Sequence, residues 1–350
     1  MADLTDQLES IPERDLSWCH ETVRDVSRTF ALTIDVLDEP MSTQICVGYL
    51  MCRIADTIED TGIIPAPEQT FLLDRYDEVL DSDHSFTAKE FEDTIHPFLP
   101  AEKTDEWTVV ANTSRVIRTV DRLPNDVRAA LVLPTRELVE GMAMFVDRHA
   151  DRGGIRIQNP EELEEYCYYV AGTVGHLITN LIVRDVEDED IDESLRGTAE
   201  EFGLLLQLVN VAKDVHADYT QENNVYLPRK WFQQVDASQE DPLASETTQD
   251  VASIVERTAD RAQSYLDDAH SYLDTLWQVD RNLFVAWAIP FLLAVGTLRE
   301  LTARPEDALS QGGVKISRDE VTAIVAAVSD SRDPRALATL RESVRRGVLG

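Results

Sequence analysis

A chain of 350 residues with 66 Asp and Glu against 32 Lys and Arg carries a formal charge of −34, which excludes nucleic-acid binding as its main business, because a phosphate backbone has to be met by clustered cations. With 43% hydrophobic residues there is ample material for a large core, so the acidity does not signal disorder. Only five of the cations are lysine, and abundant carboxylate with scarce lysine points to a halophilic protein, in surroundings where self-repulsion is screened over about 3 Å at 1 M salt.

Gly and Pro number 14 each, few for a β-rich fold, and the apolar spacing is mostly helical without sustained alternation. The expected class is therefore all-α. The N-terminal residues show no basic-then-apolar signal pattern, and Cys19, Cys46, Cys52 and Cys167 form no CxxC pair, so reduced thiols in a cytoplasmic protein are expected. Helices are predicted over 15–25, 40–61, 67–81, 101–119, 124–148, 160–183, 192–218, 248–277, 281–302 and 318–330, several with Pro in the first turn, where its missing N–H is not needed. Breaks fall at 62–65, 150–159, 219–228 and 235–247. None resembles a flexible linker, and no repeat is visible, so one domain over 1–350 is expected, its motif-bearing core at about 20–305. The most apolar window, 283–298, holds Pro290 and falls short of the roughly 20 residues that span a bilayer; it reads as a buried core helix.

Acid pairs four apart share a helix face and can share a divalent cation. In so acidic a chain roughly a dozen such pairs arise from composition alone, and most are solvated faces. Context separates two of them. Asp56 and Asp60, with Glu59 between, close an acid-free stretch, 41–55 (MSTQICVGYLMCRIA); Asp214 and Asp218 close another, 202–213 (FGLLLQLVNVAK). Carboxylates at the mouth of a buried cavity would be costly without cations, and Mg²⁺ suits carboxylates combined with substrate phosphates. Two facing clusters above an apolar pocket would suit a diphosphate with a hydrocarbon tail. The other reading is two helix ends that reach solvent.

A third acid-free stretch, 166–184, carries Tyr166, Tyr168 and Tyr169 with the small residues Ala171, Gly172 and Gly175. Small residues let a helix approach a neighbour or a ligand closely. A buried tyrosine beside a metal diphosphate could exchange a proton, while core packing accounts for Tyr168 and Tyr169. Ser27, Arg28, Tyr49 and Arg53 place hydroxyls and guanidinium forks near the first cluster. His176 and His216 receive no role, because no HxxxH or HExxH spacing accompanies them.

Together these stretches resemble the squalene/phytoene synthase family, the head-to-head trans-isoprenyl diphosphate synthases. The matching pieces are Ser27-Arg28-Thr29-Phe30, Tyr49 to Asp60, Tyr166 to Gly175, Gly203 to Asp218 and Val225-Tyr226-Leu227-Pro228, in order. The resemblance implies an all-α isoprenoid synthase fold, a class I terpenoid synthase bundle with a central cavity. It also implies Mg²⁺ held by Asp56, Glu59, Asp60, Asp214 and Asp218. Ala288-Ile289-Pro290 and Gly313 to Arg318 resemble segments of the reductive, squalene-forming members, the latter associated with NADPH and bringing in Lys315 and Arg318. The implied activity is that of a prenyltransferase that joins two farnesyl diphosphates into presqualene diphosphate and reduces this to squalene. A non-reductive phytoene or dehydrosqualene synthase is the alternative; a class I terpene cyclase and a non-catalytic acidic scaffold stand further off.

By the same resemblance, Asp56, Asp60, Asp214 and Asp218 act in catalysis and Tyr166 assists proton removal. Ser27, Arg28, Tyr49, Arg53 and Lys213 grip diphosphate. Val170, Ala171, Gly172, Leu206 and Phe291 line the pocket, with Gln207 and Asn210 as polar contacts. Three positions depart from the family pattern: Lys213 stands where Arg is usual, Ala217 where an acid is usual, and Asn224 where an Arg precedes the aromatic-Leu-Pro stretch. A monomer is expected, in the cytoplasm, with membrane contact that is peripheral and driven by the lipid product.

Overall fold

The computed structural model describes residues 11–331, 333 and 335–349. Among the described residues there is no strand, only an isolated parallel bridge between Arg156 and Val225, and the rest of the regular structure is helical, as the residue spacing predicts. The chain divides into two compact units, Met1–Ala150 with Thr173–Glu187 and Asp151–Gly172 with Asp188–Gly350.

In the first unit the acid-free stretch forms the helix Met41–Glu59. It packs against Glu13–Val26, Ala66–Leu80, Asp105–Val110, Thr113–Val120, Asn125–His149 and Thr173–Val183. A helix buried on nearly every side belongs in the middle of a core. Ile45, Leu50, Met51, Ile54 and Ile58 are fully or almost fully buried, each burial worth about 1.5–3 kcal/mol. Tyr76, also fully buried, donates its hydroxyl to the Met51 carbonyl at 3.0 Å. The last carbonyls of a helix need outside partners, and the buried Gln69 supplies them, its Nε2 donating to Ile58 O at 2.8 Å and Glu59 O at 2.7 Å.

In the second unit Arg281–Ala303 plays the corresponding part, against Ala199–Lys213, Leu266–Val279, Arg318–Asp330 and Ala336–Arg345. By length and composition it could cross a membrane, yet 78% of its most apolar window is buried within the chain, which supports the core-helix reading. Arg299 on this helix donates to both Glu320 carboxylate oxygens, at 2.6 and 2.8 Å, and to Val344 O at 2.7 Å, tying down the last two helices.

Several expected helices are subdivided. The 101–119 segment breaks into Asp105–Val110 and Thr113–Val120, because the Asn112 side chain donates to Thr108 O and its backbone leaves the helical region. The 248–277 segment breaks at Ser264 and Tyr265, and 192–218 becomes Glu189–Arg196, Ala199–Lys213 and Val215–Ala217. The 160–183 segment is continuous but changes its hydrogen bonding: Pro160–Cys167 is α, Tyr168–Gly172 is π, and Thr173–Val183 is α again. Four short helices were not expected: Arg28–Ile34, Ala88–Ile95, Arg229–Phe232 and Ala336–Arg345. The Thr87/Glu90 capping box that opens Ala88–Ile95 is a signal the sequence did offer. All four cysteines are free and buried, and burial pushes the Cys19 and Cys52 thiols up to about 12.

Candidate active site

In the first unit the Met41–Glu59 helix presents a polar stripe. Past Met41, the residues of the Met41–Glu59 helix and its cap that keep partial exposure are Tyr49, Arg53, Asp56 and Asp60. Their spacings of four, three and four keep them on one face. Arg53 donates from Nε and a terminal nitrogen to the Tyr49 hydroxyl at 3.2 and 2.8 Å, and another terminal nitrogen lies 3.6 Å from an Asp56 oxygen. Burial alone would weaken the Arg53 cation, but Asp56 and Tyr49 hold it firmly protonated. Burial raises the Asp56 carboxyl, with Arg53 opposing in part, so this carboxylate is only partly compensated. Burial also raises the Tyr49 phenol. The Phe30 ring stacks on Tyr49 at 4.4 Å, and Ser27 Oγ caps Arg28–Ile34 by accepting from Phe30 N at 3.2 Å. The Arg28 side chain lies outside the described residues. Glu59 is only 4% exposed and sits off the stripe.

The second unit has its own stripe on Ala199–Lys213, where Leu206, Gln207, Asn210 and Lys213 keep exposure between buried neighbours. The helix ends at Lys213, and Asp214 caps it through its N–H to Asn210 O at 3.0 Å. One more turn follows, closed by Asp218 N to Asp214 O at 3.0 Å, so the two acids stay one turn apart although the helix is interrupted. Lys213 Nζ is in direct contact with the Asp214 carboxylate. From Asp218 to Glu222 the chain is π-helical and stops at Asn223 in the left-handed region, φ 58°. Glu222, four residues past Asp218, was not singled out in the sequence. Burial first, then the charges of Asp218 and Asp214, push its carboxyl up to about 8.

Tyr166 is buried at the end of Pro160–Cys167, its ring stacked on Tyr226 at 4.7 Å and its hydroxyl donating to the Tyr226 hydroxyl at 3.1 Å. Val170 and Ala171 keep partial exposure on the following π turn, while Gly172 is buried. The turn lies hard against Ala199–Lys213: a Cβ on Gly203 would come within 2.3 Å of the Ala171 carbonyl oxygen, so only glycine fits there. Two π segments, one following Tyr166 and one beginning at Asp218, match the tendency of such turns to mark functional sites. Phe291 is fully buried, edge-on to His270, and belongs to the core rather than to a pocket wall. Asn224 joins two segments, its Oδ1 accepting Ile155 N–H at 2.8 Å and its Nδ2 donating to the Tyr226 hydroxyl at 3.1 Å.

Gly312 and Gly313 both have positive φ, and a Cβ on Gly313 would stand 2.9 Å from the Lys213 carbonyl oxygen. The segment carrying Lys315 and Arg318 therefore starts directly against the end of the Asp214 helix. Both cations are exposed and make no ion pair among the described residues. In a chain of net charge −34 such unpaired cations suit an anionic ligand such as a nucleotide phosphate.

Among the described residues no three His, Cys, Asp or Glu side chains form a ready-made metal cage. Mg²⁺ commonly keeps several waters and binds through one or two carboxylates together with substrate phosphates. Asp56, whose carboxyl burial raises with only Arg53 opposing, and separately Glu222, raised by burial and by the charges of Asp218 and Asp214, are oxygen donors of the kind that ion takes.

The family model described as squalene/phytoene synthase matches residues 23–320. The squalene synthase ERG9 of Candida albicans is 27% identical over 313 residues, covering 88% of this chain and 66% of that protein. The squalene synthase of Schizosaccharomyces pombe is 25% identical over 318 residues, covering 91% and 65%. The chain thus spans a little under two thirds of the length of these relatives. Among solved structures, a ligand complex of TcSQS superposes with a TM-score of 0.76 at 22% identity, covering 96% of this chain and 99% of the other. A dehydrosqualene synthase superposes at 0.60 and 17% identity, covering 93% and 98%. These likenesses establish the isoprenoid synthase type of all-α fold.

Proposed function

The chain belongs to the squalene/phytoene synthase family, and on that premise we propose that it condenses two farnesyl diphosphates head to head, through presqualene diphosphate, and reduces the product to squalene. The observation that carries this reading is the polar stripe Tyr49, Arg53, Asp56 and Asp60 on an otherwise buried helix. A solvated helix end would not align its exposed groups with one guanidinium fixed by a tyrosine and facing a carboxylate. The squalene synthases among the relatives and the unpaired Lys315 and Arg318 favour the reductive branch.

Mg²⁺ held by Asp56 and Asp60, with Glu59 behind them, and by Asp214 and Asp218 would supply Lewis-acid charge to the departing diphosphate. Arg53, oriented by Tyr49, turns its remaining N–H groups to diphosphate oxygens, where a planar fork binds well. Ser27, Arg28 and Lys213 add to that grip, Lys213 as a point charge beside Asp214. Tyr166 takes part in proton removal as the cyclopropane closes. Val170, Ala171 and Leu206 exclude water from the cation, with Gln207 and Asn210 as polar contacts. NADPH would supply hydride, its phosphates met by Lys315 and Arg318.

In this reading the reaction is carried out by a monomer. The protein works in the cytoplasm of an organism living in concentrated salt and touches membranes only peripherally. The test is an incubation with farnesyl diphosphate and Mg²⁺ in high salt, with and without NADPH, the lipid extract read by mass spectrometry. Squalene only with NADPH is the expected result. A dehydrogenated or C40 product without NADPH moves the assignment to the carotenoid-forming branch and leaves Lys315 a structural residue.

A further inference from the structure

Asn224, Tyr226 and Tyr166 form a hydrogen-bonded chain whose direction is fixed at its Asn224 end. A backbone N–H can only donate, so the Asn224 side-chain atom that meets Ile155 N at 2.8 Å is its carbonyl oxygen. The other end of that amide is then the donor, and it donates to the Tyr226 hydroxyl at 3.1 Å. Tyr166 donates to the same hydroxyl at 3.1 Å, with the two rings stacked at 4.7 Å and 22° between planes. The Tyr226 oxygen therefore accepts twice, which fills its acceptor capacity. With its own proton turned toward Tyr226, what Tyr166 can offer a further partner is a lone pair. Donation also enriches that oxygen, because hydrogen bonds in a chain polarise one another.

The same chain is anchored to the second acidic motif. Asn224 N–H donates to Asp218 O at 2.9 Å. Arg156, 3% exposed, donates to both the backbone and side-chain oxygens of Asn223, the left-handed residue that ends the π turn. The turn that begins at Asp218 and the orientation of the Tyr166 hydroxyl are thus set by one small network.

We propose that Tyr226 and Asn224 are positioning residues that present Tyr166 as a hydrogen-bond acceptor, the polarity required of the group that receives a proton from carbon. This rests on the function proposed above. In the step concerned, the C–H electron pair closes the cyclopropane bond and the proton arrives on the Tyr166 oxygen. The original Tyr166 proton passes to Tyr226 as Tyr226 gives up its own, and the diphosphate released in the reaction, itself a base, takes up that last proton.

The test compares Tyr226→Phe, which keeps the ring stack but removes the accepting oxygen, with Tyr166→Phe and the double variant. Formation of presqualene diphosphate from farnesyl diphosphate without NADPH is measured. Tyr226→Phe should lower kcat about 10- to 100-fold, part of what a positioned acid–base group contributes, with KM changed less than about threefold. In the Tyr166→Phe background the second substitution should add almost nothing, since the two act as a unit. Asn224→Asp, nearly isosteric but unable to donate to Tyr226, should give a smaller loss in kcat. A substrate-free arm places 3-fluorotyrosine at 166 and follows its ionisation by fluorine NMR. Tyr226→Phe should raise that pKa, because once Tyr166 has lost its proton the Tyr226 O–H can turn and donate to the phenolate, and phenylalanine cannot. Parental kcat in Tyr226→Phe, additive losses in the double variant, or an unmoved fluorotyrosine titration each overturn the proposal. If the unmutated chain turns over no prenyl diphosphate, the functional reading fails and the catalytic role with it, while the titration still reports whether the two tyrosines are coupled.

Discussion

Gly203→Ala probes a close backbone approach beside the candidate site. The new methyl carbon would lie 2.3 Å from the Ala171 carbonyl oxygen, 2.7 Å from its carbon and 3.0 Å from Gly172 N. All three are backbone atoms, so no rotamer change relieves the contact. To restore an ordinary separation the Tyr168–Gly172 turn must move by about 1 Å, and overpacking of this kind costs about 1–3 kcal/mol. A 1 Å misplacement of groups around a reacting centre can cost about 100-fold in rate. Urea unfolding should therefore show a lower midpoint at unchanged slope, and kcat with farnesyl diphosphate should fall by one to two orders of magnitude. Ala171→Gly should not rescue the variant, because the obstacle is the carbonyl rather than the Ala171 methyl. A Gly203→Ala protein as stable and as active as its parent, or one rescued by Ala171→Gly, would refute the reasoning.

Two other predictions concern the acidic motifs. Gln69→Ala removes the donor to the buried Ile58 and Glu59 carbonyls and should cost about 2–4 kcal/mol, the sum of lost hydrogen bonds and unsatisfied acceptors, read from urea unfolding; an unchanged midpoint would deny that Gln69 supports the helix end. Glu222 has a folded-state pKa raised from 4.5 to about 8, by burial and then by Asp218 and Asp214, so between those values the folded chain holds more protons than the unfolded one. Stability in EDTA should therefore fall as pH rises through that window and level off above about 8. Glu222→Gln, which cannot ionise, should lack this part of the fall in thermal melts from pH 5 to 8, and identical profiles for the two proteins would contradict the crowding.

Much of the site was legible because the chain is so acidic. Where acids are common, the acid-free runs before Asp56 and before Asp214 stand out, and burial confirms that the first is a core helix with one polar stripe. The π turns at Tyr168–Gly172 and Asp218–Glu222 were not legible, since one residue of extra winding leaves the apolar spacing almost unchanged. The pairing of Tyr166 with Tyr226 spans 60 positions and has no local signature. Division of the chain into two units left no linker to read either, because one boundary falls between Gly172 and Thr173, inside a continuous helical run. Phe291 shows the converse limit: an apolar residue beside a motif looks the same in sequence whether it lines a pocket or fills the core.

The central claim is that the two carboxylate pairs act on the departing diphosphate, and the most direct measurement is Mg²⁺-dependent diphosphate release from farnesyl diphosphate by the parent, Asp56→Asn and Asp214→Asn. Loss of one preorganised electrostatic contact costs about 10²- to 10³-fold, so each variant should release diphosphate at least that much more slowly, with circular dichroism and urea midpoint unchanged. Undiminished release by either variant, or no release by the parent at any Mg²⁺ concentration, would contradict it.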